Sequence, residues 1–171
     1  MNFEDVVKNR KSVRKFQEKP IEKEKIKKIL ELVNLAPSAG NLQAYKIFVV
    51  KDKKKIKLIG ANVGGIQRNF DNLSPIIFIF CANPDESALR YEDRGKKLYA
   101  VQDATIACSY AQLIAVSLGL GSCWVGSFDE KIIQEILQTD LLPIAILPLG
   151  YPAETPPCRP RKSLNQLSKI I

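Results

Sequence analysis

The chain has 171 residues, 46% of them apolar and 26% charged, a balance that excludes a disordered polymer and suits one domain with its own core. It contains no histidine, which removes the Ser–His and Cys–His nucleophile pairs and most zinc chemistry. Its 26 basic and 18 acidic residues leave a formal charge of +8, which suits an anionic partner, either a phosphate-bearing small molecule or a nucleic acid.

That charge is unevenly placed. Between Lys8 and Lys28 ten Lys/Arg face three Glu, a local +7, and from Cys158 onward there are four bases and no acid. The lysines of KDKKKIK (51–57) fit the solvated face of a short helix. Cys81, Cys108, Cys123 and Cys158 form no C-x-x-C pair and three of them sit in apolar stretches. They read as small core residues in a reducing compartment, so a cytoplasmic location is expected. MNFEDVVKNR lacks the apolar block of a secretory signal, and the apolar run 104–120 is interrupted and short for a membrane span, so no membrane is expected.

In chain order, Asn2 and Asp5 form a reciprocal cap for a first helix carrying Phe3, Val6 and Val7 and ending near Asn9. RKSVRKF (10–16) follows. If extended, its period of two puts Arg10, Ser12 and Arg14 on one face, a phosphate cradle or equally an exposed basic edge. Ile26, Ile29, Leu30 and Val33 mark an amphipathic helix from about Glu22 to Leu35, stopped by Pro37. APSAGNLQAY (36–45) then carries Ser38, Gly40, Asn41 and Gln43 on a turn that feeds a strand at 46–51, either a presented polar site or an ordinary connection.

The residues 56–65 read as a helix stopped by paired glycines, with Gln67 and Asn69 in the polar stretch beyond. PIIFIFCA (75–82) is apolar on both faces and therefore a central strand. Residues 83–97 form a charged loop or short helix, and 97–120 the longest helix, apolar nearly all round and stopped by Gly119. That helix is the axis of the domain or also meets a second subunit. GSCWVGSF (121–128) reads as a short strand, with Trp124 either a stacking surface or core. Ser127 and Glu130 cap a helix through Leu137, and 142–152 is the last strand. The proline-rich tail ends in Leu164, Leu167, Ile170 and Ile171 and needs a surface to dock on. Strands alternating with helices and the lack of a linker predict a single mixed α/β or α+β domain over 1–171, with 153–171 as an arm. No Rossmann or P-loop glycine pattern follows a strand.

RKSVRKF (10–16), APSAGNLQAY (36–45), GLGSCWVGSF (119–128) and RPRK (159–162), at this order and spacing, resemble the nitroreductase family of FMN-dependent enzymes, over about residues 3–165. The resemblance implies an α+β sandwich with a central, mostly antiparallel sheet flanked by helices, in an intertwined homodimer whose core is the long helix. It implies that Arg10, Lys11 and Ser12 hold the FMN phosphate with Arg161 and Arg159, and that Arg14 lies near N1 and the C2 carbonyl of the flavin. Pro37, Ser38 and Asn41 would reach the flavin from the other subunit, Gln67 would touch it, and Trp124, Val125 and Gly126 would pass beneath the ring with an N–H near N5.

The implied activity is reduction of nitroaromatic, quinone or similar acceptors by NADH or NADPH in ping-pong order, with flavin supplying the hydride chemistry that histidine does not. Two departures stand out. Many relatives read Asn-x-Gln-Pro-Trp where this chain has Asn41-Leu42-Gln43-Ala44-Tyr45, and longer members carry a helical excursion where only about fifteen residues (83–97) stand here, fewer than a usual pair of helices takes. The acceptor is therefore the least transferable feature, which keeps open a flavin-destroying, dehalogenating or azoline-oxidising relative. A basic nucleic-acid-binding module ranks below both, because no nucleic-acid motif is present and the aromatics are not interleaved with the basic stretches, so no nucleic-acid partner is expected.

Overall fold

β2 (Ile76–Ala82) is buried at every position, and the rest of the chain is layered around it in the computed structural model, which describes residues 1–64 and 74–171. It lies between β1 (Tyr45–Val50) and β4 (Leu142–Gly150), and β3 (Gly121–Ser122) closes the other edge, giving the order β1-β2-β4-β3 with every pair antiparallel. Alternation along β2 divides the core. Phe78 and Phe80 face Ile29, Val33, Ala107, Cys108 and Ala111 on one side, while Ile77, Ile79 and Cys81 face Ile56, Ile59 and Ile133 on the other.

The first layer holds α2 (Lys23–Val33) and α5 (Ala100–Ser117); the second holds α3 (Lys53–Ala61) and α6 (Glu130–Leu137). Alanines at 104, 107, 111 and 115 and Cys108, all fully buried, are the small side chains that let α5 lie close over the sheet. α1 (Phe3–Asn9) has the expected reciprocal cap between Asn2 and Asp5 and packs on α5. Burial pushes the Cys81 thiol up to about 12, and Cys108 well above its usual value, as suits small core residues.

Several elements differ from the sequence expectation. α2 ends at Val33, before Pro37: Asn34 closes the last helical bond, to Leu30, and Leu35 and Ala36 wind off in i→i−3 bonds to Leu32 and Val33. α3 stops at Ala61 rather than at the glycine pair. In 121–128 only Gly121–Ser122 is strand, followed by isolated bridges from Val125 to Ile146 and from Phe128 to Val63. The cap of α6 is Asp129, whose side chain accepts from the Ile132 amide, so Ser127 stands outside the helix.

The largest difference is at 83–97, where the chain is neither loop nor single short helix. α4 (Pro84–Arg94) is capped by Asn83 and breaks at Glu92 (φ 48°, ψ −136°), and a π-type turn over Gly95–Tyr99 leads into α5. The two arms fold together: Lys96 pairs with Asp85 at 3.1 Å, the rings of Tyr91 and Tyr99 meet edge to face at 5.0 Å, and a Cβ on Gly95 would collide with the Ser87 carbonyl oxygen. Glycine at 95 and one left-handed residue make a helical hairpin possible in a span that average loop lengths would not allow.

Residues 10–17 run along the edge beside β3 and the end of β4. Val13 N–H donates to the Ser122 carbonyl (2.9 Å), Gln17 N–H to Tyr151 (2.8 Å), and Ala153 N–H to Lys15 (2.9 Å). The buried side chains Val13 and Phe16 fit there because β3 and β4 present glycines: a Cβ on Gly121 would sit 2.9 Å from Val13 Cβ, and one on Gly150 2.8 Å from Phe16 Cδ1. Gly150→Ala should therefore destabilise the protein by about 1–3 kcal/mol through overpacking, read as a lower urea midpoint. An unchanged midpoint would show that Phe16 is not seated on Gly150.

Candidate functional site

The strip 10–16 is held from both sides by distant chain. Besides the Val13–Ser122 bond, the Glu154 carboxylate accepts from the backbone N–H of Arg14 (2.7 Å) and of Lys15 (3.1 Å). Glu154 is the last acid in the sequence, standing between β4 and the proline-rich tail, and that isolation was the signal for its role. Val13 N–H also donates to the Lys11 carbonyl (3.1 Å), a tight turn about Ser12 that interrupts strict alternation. Lys11 consequently joins Arg10, Ser12 and Arg14 on one cleft instead of facing away from them.

That cleft has a volume of about 650 Å³ and its opposite wall is the tail: Pro156, Pro157, Cys158, Arg159 and Arg161. The cationic residues of both chain ends thus converge. Among the described residues no ion pair reaches Arg10, Lys11, Arg14, Arg159 or Arg161. Glu154 spends its carboxylate on backbone amides, so the cleft keeps its positive field for an anion. Arg14 is part-buried and gives one Nη1 bond to the Ser12 carbonyl (3.2 Å), but its buried Nε has no hydrogen-bond partner among the described residues. A guanidinium N–H taken out of water without an acceptor is costly, and a ligand oxygen or ring nitrogen would satisfy it.

The strand that supports this strip continues into Trp124–Gly126. Ser12 and Ser122 are parallel bridge partners, and two residues on Trp124 is half-buried against the α2/α5 core. Val125 is buried and exchanges two backbone hydrogen bonds with Ile146 (2.9 and 3.0 Å), and Gly126 is exposed beside the Trp124 indole. None of the three lines the cationic cleft.

Pro37, Ser38 and Asn41 also lie off that cleft, on the turn between α2 and β1. The turn is tightly wound: Gly40, Asn41 and Gln43 are all left-handed, with φ of 55°, 58° and 53°. For the two non-glycines such backbone costs of order 1 kcal/mol each and persists only when neighbours enforce it. Ser38 Oγ accepts from the Gln43 amide (2.9 Å), Asp103 Oδ1 from the Ala39 amide (2.9 Å), and the Gly40 carbonyl from Arg90 Nη1 (3.3 Å). Pro37 and Asn41 are exposed, so the turn presents them outward. Gln67 lies outside the described residues.

Sequence reading singled out neither Asp103 nor Arg90. Asp103 is the lone acid in the apolar helix, a visible signal; Arg90 carried none, because its contact depends on the hairpin reversal at Glu92. Burial raises the Asp103 carboxyl above the usual carboxylate range, opposed by the Ala39 and Ala44 amides.

The cleft fits FMN on two counts of chemistry: clustered cations around a hydroxyl for a phosphate dianion, and an orphaned guanidinium N–H for the polar edge of a flat ring.

Comparison with known proteins agrees. The model of the nitroreductase family matches residues 7–71 and 62–151. A Methanothermobacter thermautotrophicus protein described as NADH dehydrogenase/NAD(P)H nitroreductase is 30% identical over 167 residues, covering 93% of this chain and 82% of its own. The FMN reductase [NAD(P)H] of Bacillus subtilis is 30% identical over 167 residues, covering 88% of this chain and 66% of its own. The solved structure of an FMN-dependent nitroreductase from Clostridium difficile superposes with a TM-score of 0.79 at 31% identity, covering 97% of this chain and 96% of that one. With the α+β layers and the antiparallel sheet, these matches make the chain a member of the nitroreductase family.

Proposed function

We propose that this chain, as one domain over 1–171, is an FMN-dependent oxidoreductase that uses NADH or NADPH to reduce nitroaromatic, quinone or similar acceptors in ping-pong order, in the cytoplasm and as a homodimer. The observation that carries the reading is the cleft where Arg10, Lys11, Ser12 and Arg14 meet Arg159 and Arg161 around an unsatisfied Arg14 Nε. Relatives named for FMN and NAD(P)H support it.

In this reading Arg10, Lys11 and Ser12 with Arg159 and Arg161 hold the phosphate, and Arg14 takes the pyrimidine edge of the ring. Bound FMN supplies the two-electron hydride chemistry. Arg14 contributes a fixed positive charge beside that edge, where added negative charge is stabilised without reorganisation. Trp124–Gly126 offer a backbone path beneath the ring, Gln67 a further polar side chain, and Pro37, Ser38 and Asn41 close the site from the second subunit. With no histidine to relay protons, the chain's residues bind, orient and polarise.

The homodimer is supported by two apolar surfaces of the same molecule. The tail, including α7 (Leu164–Leu167), leaves the body with Leu164, Leu167, Ile170 and Ile171 each at least 65% exposed. A groove of about 390 Å³ lined by Phe3, Val6, Leu32, Leu35, Tyr110, Leu113 and Ile114 is open to receive such residues from a partner. Among the described residues no helix is long and apolar enough to cross a membrane.

Purified protein should be yellow, be bleached anaerobically by NADH or NADPH, and recover its colour on adding menadione or nitrofurazone. Colourless protein that takes up no FMN would sink the reading, and converging lines in double-reciprocal plots would remove the ping-pong order. Arg14→Lys should weaken FMN binding by roughly 1–3 kcal/mol while leaving the FMN-free protein as stable or more so, because it deletes an unsatisfied donor. Fluorescence titration and thermal unfolding read the two arms; a loss of FMN-free stability would place Arg14 in the scaffold instead. Replacing Leu164 and Leu167 together by Ser should shift the dimer toward monomer in sedimentation equilibrium, whereas an unmoved dimer constant would detach the tail from the interface.

A further inference from the structure

Asp103 is the only acid of α5 and is 2% exposed, yet it lies beneath the most contorted turn in the described chain. One carboxylate oxygen accepts the Ala39 amide at 2.9 Å; the other is buried with no hydrogen-bond partner among the described residues. Ala100 and Ala104, its neighbours on α5, offer the charge nothing, and beyond the Ala39 bond only the Ala44 amide lies near enough to favour the charged form. A buried carboxylate with half its acceptor capacity unused is an expensive way to satisfy one amide. A serine, or a water reaching the half-buried turn from outside, would serve a purely structural need. The turn adds a second unfavourable feature, left-handed backbone at Asn41 and Gln43. Two such features at one place are expected where shape is kept for function.

The contacts divide the work. Ser38 Oγ, bonded to the Gln43 amide, closes the turn on itself. Arg90 grips the Gly40 carbonyl from the exposed hairpin, at a long 3.3 Å. Asp103 is the anchor that ties the turn to the core, through the peptide that separates Ser38 from Gly40.

We propose that Asp103 is a positioning residue for cofactor binding: by holding the Ala39 amide it keeps the Ser38–Asn41 turn in the form in which Ser38 and Asn41 meet FMN. It acts through the turn and touches neither cofactor nor substrate. The inference rests on the FMN reading above.

Asp103→Asn keeps an acceptor at the same position, whereas Asp103→Ala removes it. Two quantities are measured on the full-length protein: the FMN dissociation constant by flavin fluorescence, and hydrogen exchange of the Ala39 amide in FMN-free protein. Asp103→Ala should weaken FMN by about tenfold and expose the Ala39 amide, while Asp103→Asn stays within about threefold of wild type with that amide still protected. A loss confined to folding stability, with FMN affinity unchanged in Asp103→Ala, overturns the proposal. So does a tenfold loss in Asp103→Asn, which would assign the effect to charge and not to the hold. Should Asp103→Ala fail to fold, wild type and Asp103→Asn still decide, since rapid exchange of Ala39 in wild type is itself fatal. Wild-type protein that binds no FMN overturns the FMN reading, whereas FMN binding indifferent to Asp103 overturns only this inference.

Discussion

The pairing of residues 14–17 with 151–154, secured by the Glu154 carboxylate on the Arg14 and Lys15 amides, is the contact from which the candidate site follows. It joins segments nearly the whole chain apart, so its loop-closure cost is met only once the sheet has brought β4 beside β3. The sheet itself is generic: apolar alternation on β2 and small residues on α5 would build similar layers with many sequences. What makes this edge particular is the pair Gly121 and Gly150, which are register partners and leave room for Val13 and Phe16. The strip seated on them, turned about Ser12, presents Arg10, Lys11 and Arg14 to one cleft.

Once seated, the strip and the tail create an electrostatic demand that neither satisfies. Six cations line the cleft, only Lys8 among them has an ion pair among the described residues, with Glu4, and the Glu154 carboxylate is taken up by backbone amides. In water such repulsion is screened over about 8–10 Å, but the part-buried Arg14 is screened less. An anion resolves it. The functional reading thus begins from an unsatisfied interaction in the scaffold and needs no catalytic side chain, which agrees with a chain that has no histidine and in which burial pushes the Cys81 and Cys108 thiols above their usual range.

The turn at 36–45 and the hairpin at 84–99 form a second assembly at the other end of α5. Gly40, held at a φ of 55°, lies close under the hairpin: a Cβ there would push on the ends of the Tyr91 and Arg90 side chains, so hairpin and turn are fitted to each other. Of the four non-glycine residues with positive φ in the described chain, three, Asn41, Gln43 and Glu92, fall in this assembly, and Asp103 fastens it from below. Rigid core under one side and adaptable arginines on the other is an arrangement suited to a surface that meets a partner or a ligand.

Much of this was readable from residues alone. Apolar runs identified β1, β2, β4, α2 and α5, because burial on one or both faces leaves a periodic trace in any window that long. The capping pair Asn2–Asp5 and the two basic ends were equally plain, as was the family resemblance carried by four short segments. Local chemistry could not reveal that Glu92 reverses the chain, that Asp129 and not Ser127 caps α6, or that Lys11 turns into the cleft: each depends on which neighbour is within a few ångströms. Composition and periodicity determined the layers and the sign of the site's charge, since both are sums over local preferences. Only the folded chain decided that Arg10 and Arg161 share one cleft and that Arg14 Nε is left without an acceptor, because proximity between distant segments is created by the packing of everything between them.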